Sequence, residues 1–470
     1  MNGNTWKKFP VFLFLAIGIS LVFFARFTNN YFIYDDFRYI ENNLYELKEV
    51  LLGYNTLRLV SNVIWSPLYA IFGFNPSGYN IFSLILYAGN AVLFSSFVRI
   101  LFNSRILAFF AGIFFVSSSV GVDAVFWKCS SNALLCVCFY LLTLSSYIRF
   151  RREGAKSLWY LSLVWYVLAI FSKEDAASLP VIIMVIELLF LSGEQGRKPV
   201  ILQVLPYALI VCIYMILNTL VFKWMALAPA ELAKFYVIRP LHSLLGGLSA
   251  FILSPEGVLR AVNPLAFFAV VAVTAAVLLV KDKKILLFAF CWSIVTFLPQ
   301  SLTSQGSFDP KYISNSVSRY LYIVSIGPAL LYAALLANLK EKINGKIFFI
   351  VAVMVIATYG WINYENVQQR GQQWKDGAAP TAQYLSRIGK IMPSFPPNSF
   401  VFVKNSPTGR ASVQQAMRGY YGNRSITWIV NPDSYQRKPG ERAFMIDVDW
   451  GTSDINWIQI TEPWPMTVGQ

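Results

Sequence analysis

The chain has 470 residues, of which 56% are hydrophobic and only 13% charged, with a mean hydropathy of +0.52. A soluble domain carries about a quarter charged residues, so this composition excludes an ordinary soluble enzyme and points to a membrane protein. Its net charge is +15, but the excess is spread over many short connections, and no nucleic-acid partner is expected.

The first apolar run, residues 9–27, follows Lys7 and Lys8 and ends in Arg26 without a small-residue cleavage site, so it is read as a retained helix and not a signal peptide. Further runs of spanning length fall near 78–101, 106–122, 132–148, 157–171, 176–192, 200–222, 262–280, 285–303, 319–338 and 347–363. Lys7/Lys8, Arg99/Arg105, Arg149/Arg151/Arg152/Lys156, Arg197/Lys198, Lys281/Lys283/Lys284 and Lys340/Lys342/Lys346 occupy alternate connections. The excess of Lys and Arg in cytoplasmic loops places all six clusters inside. Eleven spans satisfy them at once, with the N-terminus cytoplasmic and the C-terminus outside; the short apolar segment 241–254 is then interfacial or re-entrant. The expected location is a bacterial inner or plasma membrane.

The first outer loop is acidic and opens with Asp35 and Asp36. Phe37, Ile40, Leu44, Leu47 and Leu51 have helical spacing, which predicts an amphipathic helix lying on the membrane, and a second surface helix is predicted over 57–72. From residue 364 the chain turns polar and proline-rich. SFVFVK (399–404), SITWIV (425–430) and RAFMIDV (442–448) read as strands, with a helix over 413–421. The predicted domains are thus a helical membrane domain, 1–363, and a small α/β domain, 364–470, outside.

Carboxylates at a membrane surface suit proton abstraction or cation binding. Asp35, Asp36 and Asp123 are the outer-face acids, with Asp36 and Asp123 the pair that could share a cation. With one histidine, His242, a zinc site is nearly excluded, so a bound metal would be Mg or Mn on oxygen ligands; a metal-free reaction is the alternative. Of the five cysteines, an odd number, Cys136, Cys138, Cys212 and Cys291 lie in apolar runs and read as small core residues and not as a disulfide framework. Arg58, Lys128, Lys173, Lys311 and Arg319 run against the inside-positive trend. Lys173, in the tight turn Phe-Ser-Lys-Glu-Asp, suits either capping or gripping a phosphate. Glu187, near the inner end of its span, reads as structural.

These motifs occur in a particular order: Tyr34-Asp35-Asp36, Arg58-Leu59, Phe74-Asn75-Pro76-Ser77-Gly78-Tyr79, Val122-Asp123 through Trp127, Phe171-Ser172-Lys173-Glu174 with Pro180, and Ser318-Arg319-Tyr320-Leu321-Tyr322. Together, over about residues 1–340, they resemble the GT-C superfamily of membrane glycosyltransferases, in particular the branch of protein O-mannosyltransferases and the transmembrane–tetratricopeptide group. The chain departs from that branch in lacking its repeats. It has Asp123 where relatives have glutamate, Asn132 where they have an acid, and Asn80, Tyr87, Ser118 and Gly121 in places where they carry histidines.

The resemblance implies a polyprenyl-phosphate-sugar donor, a glycan, lipid or protein acceptor, surrounding membrane lipids, and inverting transfer on the outer face. It implies Asp35 as base, with Asp36 and Asp123 orienting the acceptor or holding the cation. Lys173 and Arg319, backed by Arg58 and Lys311, would stabilise the lipid phosphate. A flippase or transporter, and an O-antigen polymerase or ligase, are the competing readings. The first would show charges in mid-span and two matching halves, neither of which is evident.

Overall fold

A computed structural model describes residues 9–44, 57–191, 200–222, 278–303, 318–404, 410–429, 442–448 and 455–460. It is mostly helical. Helix α1 (Phe9–Phe24) leads through a turn to the short α2 (Asp36–Asn42), then α3 (Leu59–Phe72) and the long α4 (Pro76–Phe102), which starts with Asn75 capping Ser77 N and a proline in its first turn. Next come α5 (Arg105–Val116), α6 (Val122–Phe126), α7 (Ser131–Glu153), α8 (Lys156–Ile170), α9 (Leu179–Ile186) and α10 (Val200–Phe222). The bundle continues with α11 (Lys283–Thr303), α12 (Ser318–Leu321), α13 (Ile326–Lys340) and α14 (Gly345–Ile391).

Four helices among the described residues are long and apolar enough to cross a membrane: Pro76–Phe102, Lys128–Glu153, Val200–Val221 and Gly345–Ile391; five shorter apolar helices accompany them. Several predicted spans are broken. The run 106–122 stops at Val116, where Ser117, Ser118 and Ser119 turn the chain and Ser118 Oγ accepts from Val120 N. The run 319–338 divides between α12 and α13, with Ser325 Oγ donating to Tyr322 O. Hydroxyls that bond nearby backbone compete with the helical ladder, and hydropathy does not register this. The segment 241–254, most of 262–280 and His242 lie outside the described residues, as does the predicted amphipathic helix beyond residue 44.

Helix α14 differs most from expectation. The predicted domain boundary at 363/364 falls inside one continuous helix of 47 residues. At 1.5 Å per residue it is about 70 Å long, roughly twice the hydrocarbon thickness of a bilayer. Its second half buries Val367, Gly371, Trp374, Ala378, Thr381, Leu385 and Ile388, a stripe at three- and four-residue spacing. Gly371 permits the packing: a Cβ there would sit 2.5 Å from the Phe27 ring.

Beyond α14 lies a four-stranded sheet, ordered β2-β1-β3-β4, with β1 (Ser399–Lys404), β2 (Thr427–Ile429), β3 (Arg442–Val448) and β4 (Ile455–Ile460). β1 pairs in parallel with both β2 and β3, and β4 is antiparallel to β3. Helix α15 (Arg410–Tyr421) makes the crossover from β1 to β2 and packs on α2.

Candidate active site

The turn before α2 sets the two acids in opposite environments. Tyr34 adopts a left-handed φ of +47°, a conformation that costs a non-glycine residue about 1–2 kcal/mol. After it, Asp35 faces solvent as the residue preceding α2, and its side chain makes no hydrogen bond or ion pair among the described residues. Asp36 is fully buried. Its Oδ2 accepts from Ile33 N at 3.0 Å and its Oδ1 from Cys129 N at 2.7 Å, so one carboxylate fastens the turn to itself and to the segment after α6. Burial raises the Asp36 carboxyl to about 6, against the opposing pull of Lys128 and of the two backbone N–H groups. Lys128 Nζ donates to Tyr31 O at 2.8 Å and lies over the Phe32 ring.

The cations come from three further elements. Arg58 precedes α3 and forms a two-point ion pair with Glu174, at 3.0 Å (Nε) and 2.5 Å (Nη2). This joins α3 to the 171–178 turn, as do Val60 N to Phe171 O and Ser61 Oγ to Ser172 O. Lys173 is buried and pairs with Asp175 at 2.7 Å, its ammonium 4.8 Å from the centre of the Tyr320 ring. Arg319 lies over two rings, 4.1 Å from the centre of Trp127 and 4.6 Å from that of Tyr320, a favourable cation–aromatic geometry. Its Nη2 donates to the Tyr320 hydroxyl at 2.7 Å, while its buried Nη1 has no hydrogen-bond partner among the described residues. Asp35, Asp36, Arg58 and Arg319 all lie close enough to Cys129 to act on it electrostatically.

Glu174 carries a pH prediction. Burial pushes its carboxyl up, but Arg58 and then Lys173 outweigh this and hold it below the ordinary 4.5. A carboxyl depressed by folding stabilises the fold above its unfolded pKa, and that stabilisation fades as pH falls below about 4.5. Melting temperature should therefore drop on acidification through that range, and less steeply in Glu174→Gln. Equal acid slopes would show that the Arg58 pair contributes nothing.

Asp123 is tied to helix α14. It is buried, and its Oδ1 accepts from Arg370 Nε at 2.8 Å and Trp374 Nε1 at 2.7 Å, its Oδ2 from Arg370 Nη2 at 3.2 Å. Trp374 in turn lies 5.6 Å from Trp127, the ring beneath Arg319, and Tyr34 meets Trp127 edge to face. Arg370 and Trp374 were missed by sequence reasoning, because they lie 247 and 251 residues from Asp123 in a stretch read as polar tail. The buried stripe of α14 was the available signal. Asp35, Asp36, Arg58, Lys173 and Arg319 are brought together; Lys311 lies outside the described residues. Glu187 accepts from the Tyr147 hydroxyl and from Arg151, which is a structural pairing.

Residues 59–224 match the family described as dolichyl-phosphate-mannose-protein mannosyltransferase. The human protein O-mannosyl-transferase TMTC4 is 28% identical over 34% of this chain and 26% of its own length, so the chain spans about a quarter of that relative. Among solved structures, apo ArnT from Cupriavidus metallidurans is similar with a TM-score of 0.52 at 13% identity, covering 93% of this chain and 92% of that one. The archaeal oligosaccharyltransferase AglB from Archaeoglobus fulgidus, solved with an inhibitory peptide and a dolichol-phosphate, has a TM-score of 0.51 at 12% identity over 92% of this chain and 65% of its own. Residues 59–224 are thus similar to the dolichyl-phosphate-mannose-protein mannosyltransferase family, and the chain shares its overall fold with ArnT and AglB.

Proposed function

We propose that this protein is a membrane glycosyltransferase that moves a sugar from a polyprenyl-phosphate-linked donor to an acceptor hydroxyl of a glycan, lipid or protein on the extracytoplasmic face. The observation that carries this reading is the exposed Asp35 carboxylate on a turn stapled at Asp36, with Arg319 stacked on the Trp127 ring that Tyr34 meets and its Nη1 without a hydrogen-bond partner among the described residues. Asp35 takes the acceptor's proton as its oxygen bonds the anomeric carbon from the face opposite the phosphate. The bond from that carbon to the phosphate oxygen breaks, the lipid phosphate leaves with the electron pair, and the configuration inverts. Arg319 stabilises the charge the phosphate gains, and Lys173 and Arg58 add positive potential from behind their own carboxylate partners. The dolichol-phosphate held by the archaeal structural neighbour and the O-mannosyl transfer named for the human relative support a lipid-phosphate donor and a hydroxyl acceptor.

In this reading Asp36 and Asp123 do not share a cation. Both oxygens of Asp36 and both of Asp123 already hold protein N–H donors, so Mg or Mn shared by these two acids does not fit the donor set. Among the described residues no cluster of three metal-ligating side chains stands elsewhere. The sheet domain, beginning after α14, is read as the extracytoplasmic part that helps select the acceptor.

The test compares envelope glycolipids and glycans by mass spectrometry from cells carrying the wild-type protein, Arg319→Ala or neither. A sugar present with wild type and reduced about 100-fold or more with Arg319→Ala is expected, given what removal of one charge-stabilising donor costs an enzyme. No difference among the three strains, with the protein folded, would return the flippase reading.

A further inference from the structure

Helix α2 is only seven residues long, too short to be stable alone, so contacts at its two ends set its direction. Its first turn is fixed by Asp36 to Cys129 N. Its last turn is held from the C-terminal domain. Glu41 Oε1 accepts from Arg418 Nη1 of α15 at 2.9 Å, with both side chains largely buried. The same guanidinium donates through Nε to Ile426 O at 2.7 Å, just before β2, so Arg418 joins the edge of the sheet to α2. Next to it, Gly419 allows close approach: a Cβ there would lie 2.9 Å from Ile40 Cγ2 and 3.3 Å from the Phe74 ring. Tyr420 then packs edge to face on Phe74 at 5.6 Å, ahead of α4.

We infer that the Glu41–Arg418 pair is a clasp through which the sheet domain holds α2, and with it Asp35, in working position. This rests on the proposed function for its catalytic consequence but not for its structural one. Glu41 and Arg418 are positioning residues: neither reaches the reacting atoms, and both act through the helix that carries the base. A base displaced by about 1 Å can lose up to about 100-fold in rate. The clasp thus makes turnover depend on how the domain sits, and an acceptor that shifts α15 would change the rate beyond the effect of its own contact with Asp35.

The test uses the full chain in lipid nanodiscs, with kcat, donor KM and hydrogen exchange of residues 33–44 measured together. Glu41→Gln and Arg418→Glu should each lower kcat about 10-fold or more, leave donor KM unchanged and speed exchange in 33–44 several-fold. The double variant Glu41→Arg/Arg418→Glu should move both readouts back toward wild type. Because Glu41→Gln preserves shape and leaves α15 intact, its result does not depend on the sheet domain tolerating a new charge. Wild-type exchange and kcat in Glu41→Gln would overturn the clasp, and so would a fall in kcat without faster exchange, or faster exchange with kcat unchanged. If the wild-type protein transfers no sugar, the proposed function fails, and the exchange comparison alone decides the clasp.

Discussion

Asp35→Asn is expected to lower kcat by about 10³-fold while leaving the fold and donor binding as they are. A positioned general base contributes about 10²- to 10⁴-fold, and asparagine keeps the shape of the side chain while removing its ability to take a proton. The fold should not respond, because the Asp35 carboxylate is exposed and makes no hydrogen bond among the described residues. The neighbouring acid separates the two roles. Asp36→Asn sets an amide nitrogen against one of two backbone N–H groups, those of Ile33 and Cys129, that a carboxylate satisfies together. Leaving one buried donor unpaired costs about 1–3 kcal/mol. Asp36→Asn should therefore lower the melting temperature and weaken activity through the turn. Purified variants in nanodiscs, assayed for turnover and melting side by side, distinguish these outcomes. Near-normal turnover in Asp35→Asn would remove it as the base; equal melting temperatures for Asp36→Asn and wild type would remove the staple.

Much of this site was legible in the sequence, and the reasons are physical. Acids and cations against the inside-positive trend are costly at a membrane surface, so Asp35, Asp36, Arg58, Lys173 and Arg319 stood out before any coordinates. The inversion between the two acids did not. Which carboxylate points inward is decided by the left-handed turn at Tyr34, a residue type that gives no local sign of positive φ. Strands β1 and β3 were readable from their apolar character between prolines and polar turns. The edge strand β4, Ile-Asn-Trp-Ile-Gln-Ile, carried a weaker form of the same signal and was passed over. The continuation of α14 was hidden by using polarity alone to end a span. Its buried stripe from Val367 to Ile388 keeps helical spacing, and a search for periodicity would have carried the helix on and brought Arg370 into view.

That helix also supplies the second large effect. Asp123→Ala is expected to destabilise the protein by about 3–5 kcal/mol, because it strands a largely buried guanidinium that the carboxylate now pairs at two points. Arg370→Met should cost a similar amount by stranding the acid. The double variant Asp123→Leu/Arg370→Met should recover much of the loss, since a well-packed apolar pair avoids the desolvation of both charges. Activity should follow a different pattern. Asp123 also accepts from Trp374, which packs on Trp127 beneath Arg319, so the double variant regains melting temperature while turnover stays low. Divalent cations give a further discrimination. If Asp123 were a metal ligand, adding Mg or Mn would raise the melting temperature of wild type and not of Asp123→Ala. The bidentate pair instead predicts the same small response in both. A wild-type melting temperature in Asp123→Ala would show that the pair holds nothing, and a cation-dependent rise confined to wild type would return Asp123 to the role of ligand.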